Sequence, residues 1–131
     1  MTKHNALPTL ILIAIALIGF GGCRTISYDP TGDYYAVFQL GDFKMLLNTT
    51  APVAFQAVQK AVPQNDLFQT YSAMNKYDGI VYARTRADQR VKIKIEEVNS
   101  RQTMITIRWG EGGDLPNSRK LFDRIEASVS K

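Results

Sequence analysis

The chain has 131 residues, with 16 Lys plus Arg against 12 Asp plus Glu, one histidine and one cysteine. A lone cysteine excludes an internal disulfide, and one histidine with one cysteine excludes a His/Cys zinc site. The length suits one domain behind a short leader, and the positive balance favours anionic partners without requiring them.

The first element is a leader. Lys3 and His4 form a positive head, and Leu7 to Phe20 are nearly all apolar. That run matches the apolar core of a secretory signal, about 7–15 residues. It falls short of the roughly 18 residues that cross a bilayer as a helix. Gly21 and Gly22 supply the small residues that a signal peptidase needs before Cys23. Phe20-Gly21-Gly22-Cys23 resembles the lipobox of bacterial lipoproteins, whose cysteine is diacylated on sulfur and becomes the mature N-terminus. Phe20 stands where Leu, Val or Ile is usual, and Gly21 where Ala, Ser or Thr is usual. The resemblance implies a signal peptide over 1–22, lipidation at Cys23 and a membrane-anchored protein of the bacterial envelope. An uncleaved anchor and a secreted protein with a stray cysteine remain alternatives. Three acyl chains would satisfy the need for more than one apolar signal in stable anchoring. Arg24 follows the cysteine, where Asp would mark inner-membrane retention, so the expected address is the outer membrane, facing the periplasm. Cleavage would remove His4, leaving no histidine and no free thiol. A His general base and a Cys nucleophile are then excluded.

Residues 23–33 read as the lipidated end and a tether, because Asp29-Pro30 and Gly32-Asp33 break regular structure. One domain is expected over 34–131. "YYAVFQL" (34–40) and "DFKMLLN" (42–48) are rich in strand formers, and Gly41 between them signals a bulge or a turn. The two are counted as one interrupted strand region. Thr50 is a candidate N-cap and Pro52 suits a first helical turn. Ala54, Phe55, Val58, Ala61 and Val62 recur at helical spacing, predicting a helix over 51–62 that Pro63 ends. Strands follow over 67–76, 80–86, 90–98 and 103–110, with turns at Asp78-Gly79 and Asn99-Ser100. Asp114 is a candidate N-cap for a second helix carrying Leu115, Leu121, Phe122, Ile125 and Val129. The order β-α-β-β-β-β-α predicts an α+β two-layer sandwich: a mainly antiparallel sheet with two helices packed on one face.

The pattern "VAFQAVQKAV", then "DGIVYARTRADQRVKIKI", then "TMITIRWGEGGD" leading into "SRKLFDRI" resembles a family of small bacterial lipoproteins known as a domain of unknown function. It covers roughly residues 42–127. Two departures are visible: the hairpin turn usually carries Asp-Gly and here reads Asp88-Gln89, and an aromatic residue is common where Gly112 stands. The resemblance implies fold and address and carries no activity.

Alternation sorts the strands into two faces. Val81, Ala83, Thr85, Val91, Ile93, Ile95, Ile105, Ile107 and Trp109 make an apolar face that should carry the helices. Tyr82, Arg84, Arg86, Arg90, Lys92, Lys94 and Arg108 fall on the other, with Met104 and Thr106 and with Glu96 the one acid near. A three-residue loop over Ala87-Asp88-Gln89 sets Arg86 opposite Arg90, Arg84 opposite Lys92 and Tyr82 opposite Lys94. Two readings stand. The face is either a solvated surface whose charges discourage edge pairing, or a docking surface for an anionic partner, either lipid phosphate or cell-wall polymer. Tyrosine on a basic sheet is similar to RNA-binding sheets, but an envelope address argues against nucleic acid.

Other motifs carry less. "GEGGD" (110–114) precedes a helix as a phosphate loop does but lacks the Walker Lys-Ser/Thr; a turn with Asp114 as cap is the expected reading. Glu96 and Glu97 are adjacent strand residues and should point to opposite faces. Tyr28, Tyr34, Tyr35 and Phe38 suit either a membrane interface or a strand core. Trp109 is expected in the core. No cofactor or metal is expected, and no paired-carboxylate motif supports an enzyme. The expected function is a non-catalytic binding or scaffolding module of the envelope, with an accessory subunit docking a protein partner as the alternative.

Overall fold

The computed structural model describes residues 24–28 and 35–130. Within them the order is β1 Arg24–Tyr28, β2 Tyr35–Gln39, β3 Asp42–Leu47, α1 Ala51–Gln64, β4 Phe68–Met74, β5 Asp78–Arg84, β6 Arg90–Asn99, β7 Gln102–Trp109 and α2 Leu115–Val129. The strands form one 7-stranded sheet in the order β1-β2-β3-β7-β6-β5-β4. Every neighbouring pair is antiparallel. A meander of β1–β3 ends mid-sheet, α1 carries the chain across to the far edge, and a second meander returns to set β7 against β3. The helices pack on each other and on one sheet face. This is the α+β sandwich that the alternation predicts.

That face explains the layering. Phe43, Met45 and Leu47 of β3, Ile105, Ile107 and Trp109 of β7, Val91, Ile93 and Ile95 of β6, and Val81 and Ala83 of β5 are all buried. The helices answer with Ala51, Ala54, Ala57, Val58, Ala61 and Val62 from α1 and Leu121, Phe122 and Ile125 from α2. Phe43 and Phe122 meet with ring centroids 5.9 Å apart at 54°, a tilted pairing that aromatic quadrupoles favour. Each Ile, Leu or Phe so enclosed stabilises the fold by about 1.5–3 kcal/mol. The alanines keep α1 slim, so its backbone approaches the sheet closely.

Several boundaries differ from expectation, each for a local reason. Residues 24–28, expected in a tether, form β1 and pair with β2. The region 35–47 is a hairpin of two strands turning at Leu40-Gly41, both with positive φ. Helix α1 runs through Pro63 to Gln64; in a last turn the missing N–H forfeits a single ladder bond. Thr50 is its N-cap by position but makes no side-chain cap bond. Phe55 is only partly buried, and Ala51 and Ala57 complete the inner face instead. Asp78-Gly79 opens β5 rather than turning, and the turn lies over 75–77, where Asn75 N–H donates to the Asp78 carbonyl at 2.7 Å.

Candidate functional site

The open face is built by the outward parity of the same strands. Cross-strand neighbours share a face, so the register sorts it into rows. One row runs Gln39, Asp42, Arg108, Lys92, Tyr82, Tyr71. The next holds Val37, Lys44, Thr106, Lys94, Ile80 and Ala73. Towards one end Arg90, Arg84 and Phe68 lie abreast; towards the other, Leu46, Met104, Glu96 and Asp78.

The hairpin register corrects the expected pairing. Arg84 faces Arg90, Tyr82 faces Lys92 and Ile80 faces Lys94. The loop has three residues, 86–88, closed by Thr85 N–H donating to the Gln89 carbonyl at 3.0 Å. Gln89 N–H also donates to Thr85 Oγ1 at 3.1 Å, and Asp88 takes the left-handed conformation at φ 63°, which Asp tolerates better than most residues. These bonds move the loop back by one residue and the pairing by two. A shift of two preserves parity, so the basic residues keep the open face, except that Arg86 moves into the loop.

Carboxylates compensate most of the expected cations. Arg84 pairs with Asp88 at 2.7 Å, Arg86 lies 3.7 Å from Asp66, and Lys94 pairs with Glu96 at 2.9 Å. The hydrogen bond that the Lys94 ammonium donates to the Glu96 carboxylate, reinforced by that carboxylate's charge, holds Lys94 above its ordinary pKa. Arg108 is a structural staple: Nη1 donates to the Leu40 carbonyl and lies 3.3 Å from Asp42, while Nη2 donates to the Glu111 carbonyl. It ties the β2–β3 turn to the loop after β7. Among the described residues, Lys44, Arg90 and Lys92 are the open-face cations with no carboxylate within 4 Å.

The sequence reading misses Asp42, Asp78 and Lys44 on this face. Placing them needs β3 paired with β7 and β5 begun at Asp78, and no local signal supplies either. It also misses Phe68 and Tyr71. A register shift between Gln69 and Tyr71 brings both residues to the open face, where Phe68 lies opposite Arg84 and Tyr71 opposite Tyr82. Simple alternation would set them on opposite faces. The Tyr71 and Tyr82 ring centroids are 6.0 Å apart, and Phe68, Tyr71 and Tyr82 are 57%, 55% and 37% exposed. A shallow depression of about 260 Å³ is lined by Thr70, Tyr71, Tyr82, Ala83, Arg84 and Arg90.

The remaining candidates are structural. Asp114 caps α2 by accepting from Asn117 N–H at 3.0 Å, so a carboxylate already occupies the place a phosphate would take. Gly113 (φ 81°) packs on Gly41, where an added Cβ would sit 2.3 Å from the Gly41 carbonyl oxygen. Glu96 and Glu97 take opposite faces, paired with Met104 and Thr103. Trp109 is buried and Phe38 packs against the core. Cys23 and the 1–22 leader lie outside the described residues. Among the described residues there is no group of three or more His, Cys, Asp or Glu arranged to hold a metal, and no helix is long and apolar enough to cross a membrane.

These features, a mixed-charge sheet face with two amphipathic helices packed on the other, define a small α+β two-layer domain. The chain belongs to the family described as "Protein of unknown function (DUF3568)", whose model matches residues 6–128. No curated protein matches it.

Proposed function

We propose that the chain is a membrane-anchored bacterial envelope lipoprotein, processed at Cys23, whose domain is a non-catalytic module binding an anionic envelope component through the open sheet face. One observation carries the binding reading: Arg90 and Lys92, two residues apart on β6, present cations that no described carboxylate compensates, on a face that no described element covers. The anchoring reading is supported by the apolar run before Cys23 and by a family match that takes in that run. Protein at an outer membrane would meet lipid phosphate and acidic polymer at close range, where a few exposed cations suffice for salt-sensitive attraction.

Mass spectrometry of the mature N-terminus tests the anchor: an acylated Cys23 is expected, and an unmodified thiol overturns it. For the binding reading, the full chain in neutral micelles is mixed with phosphatidylglycerol micelles and with isolated cell-wall polymer. Arg90→Glu with Lys92→Glu should weaken binding about tenfold or more, equivalent to ~1.4 kcal/mol. Binding indifferent to both reversal and salt would sink it.

The edge strand β4 favours a second reading, the accessory subunit. Phe68–Met74 carries no charged residue and is largely exposed, as strand addition by a protein partner requires. A stoichiometric protein retained by the solubilised full chain would support it.

A further inference from the structure

We propose that Phe68, Tyr71 and Tyr82, with Arg90 and Lys92, form a subsite for an acidic sugar, so that the anionic partner is an acidic oligosaccharide. This rests on the open-face reading above and names its ligand class. The first observation is the aromatic group. Three large rings are exposed on β4 and β5, Tyr71 and Tyr82 with centroids 6.0 Å apart, and the β4 bulge brings Phe68 and Tyr71 to the same face. Clustered apolar exposure of this kind marks binding surfaces. Cations alone suffice for lipid phosphate, whereas the apolar face of a pyranose stacks on rings.

The second observation is the polar rim. Tyr82 lies opposite Lys92, and Arg84 opposite Arg90. Arg90 offers a planar fork that matches a carboxylate, and Lys92 offers a second positive charge one row away. Sugar hydroxyls need acceptors as well as donors. The Thr70 hydroxyl lines the same depression, and the Asp88 carboxylate, paired with Arg84, lies at its margin. At about 260 Å³ it is smaller than the roughly 300–1,000 Å³ of sites that engulf a drug-sized ligand. It suits one ring of a chain lying across the surface.

The charge count separates this ligand from nucleic acid, which also stacks on aromatic rings. A nucleic-acid strand carries a phosphate at every residue and needs a continuous basic track. Here Arg84 pairs with Asp88 and Arg86 lies 3.7 Å from Asp66, so the cations beside the rings do not form a continuous basic track.

The test titrates the full chain in neutral micelles with a galacturonate trisaccharide, its neutral galactose counterpart, phosphatidylglycerol micelles and an oligothymidylate, read by calorimetry. The acidic trisaccharide should bind, and the neutral one about tenfold more weakly or not at all. Tyr71→Ala and Lys92→Glu should each lower acidic-sugar affinity about tenfold, and Tyr71→Phe should hold it within about threefold, because stacking needs the ring and not the hydroxyl. Tyr71 is exposed, so these variants keep the fold, checked by circular dichroism. Phosphatidylglycerol binding that Lys92→Glu abolishes and Tyr71→Ala leaves intact, with no acidic-sugar binding, overturns the sugar subsite and leaves the anionic face standing. Failure to bind any anion overturns both. Tighter binding of the oligothymidylate overturns the sugar in favour of nucleic acid.

Discussion

The contact between Gly41 and Gly113 shows how single residues shape the end of the sheet. Both have positive φ, at 84° and 81°, and their backbones touch where the β2–β3 turn meets the loop before α2. Arg108 closes the same junction by donating to Leu40 and Glu111 carbonyls from one guanidinium, which lysine cannot reproduce because its donors diverge from one point. An alanine at 113 has two faults. Left-handed backbone costs an L-residue roughly 1–2 kcal/mol, and its Cβ, 2.3 Å from backbone oxygen, forces the turns apart. Gly113→Ala should therefore lower unfolding free energy by about 2 kcal/mol or more, read as the urea midpoint at unchanged slope. Gly112→Ala is the control, since nothing lies within 4 Å of its added Cβ and its φ is not in the left-handed range; an equal loss at both positions would refute the argument. Asp114 as a helix cap was legible in the sequence, because a cap and its N–H are neighbours in the chain. The part Arg108 plays was not, since one of its carbonyl partners lies 68 residues away and backbone acceptors leave no mark in composition.

Among elements, alternation was a sound guide to faces and a poor one to register. β6 and β7 present their predicted apolar residues to the helices, because a half-buried strand has to alternate. The β5–β6 pairing slid by two residues, a shift that alternation does not detect. The β4 bulge hid Phe68 and Tyr71 for a related reason: an extra residue resets parity without altering composition. The helices were legible where their stripe was large. In α2, Leu121, Phe122 and Ile125 are fully buried, while Leu115 at the start and Val129 at the end are partly so. Phe122 meets Phe43 under both layers, so truncating it opens a cavity that neither helix nor sheet can close. Phe122→Ala should destabilise by about 3–5 kcal/mol and Leu115→Ala by markedly less. Thermal unfolding followed by near-ultraviolet circular dichroism checks the ranking, and equal losses would show that α2 does not anchor through its centre.

At the scale of the whole molecule, the two helices cover one face of the sheet. Among the residues whose side chains are described, every member of the buried apolar cluster lies between Ala36 and Ile125. β1 occupies the sheet edge and hydrogen-bonds to β2 alone. A strand so placed adds one ladder and closes no layer. The load then falls on β2–β7 and the helices, with β3–β7 joining the two meanders and α1 spanning the sheet above them. A chain starting at residue 34 keeps every residue of that cluster. It should unfold in one cooperative transition by urea, with a slope close to that of the longer chain, because slope reports the surface exposed on unfolding. Losing one edge ladder should lower the thermal midpoint by several degrees at most, given that ~1 kcal/mol corresponds to about 4–8 °C in a domain of this size. Loss of cooperativity or of the near-ultraviolet signal would mean that β1 belongs to the folding unit, and that the chain just after Cys23 is part of the domain rather than an appendage to it.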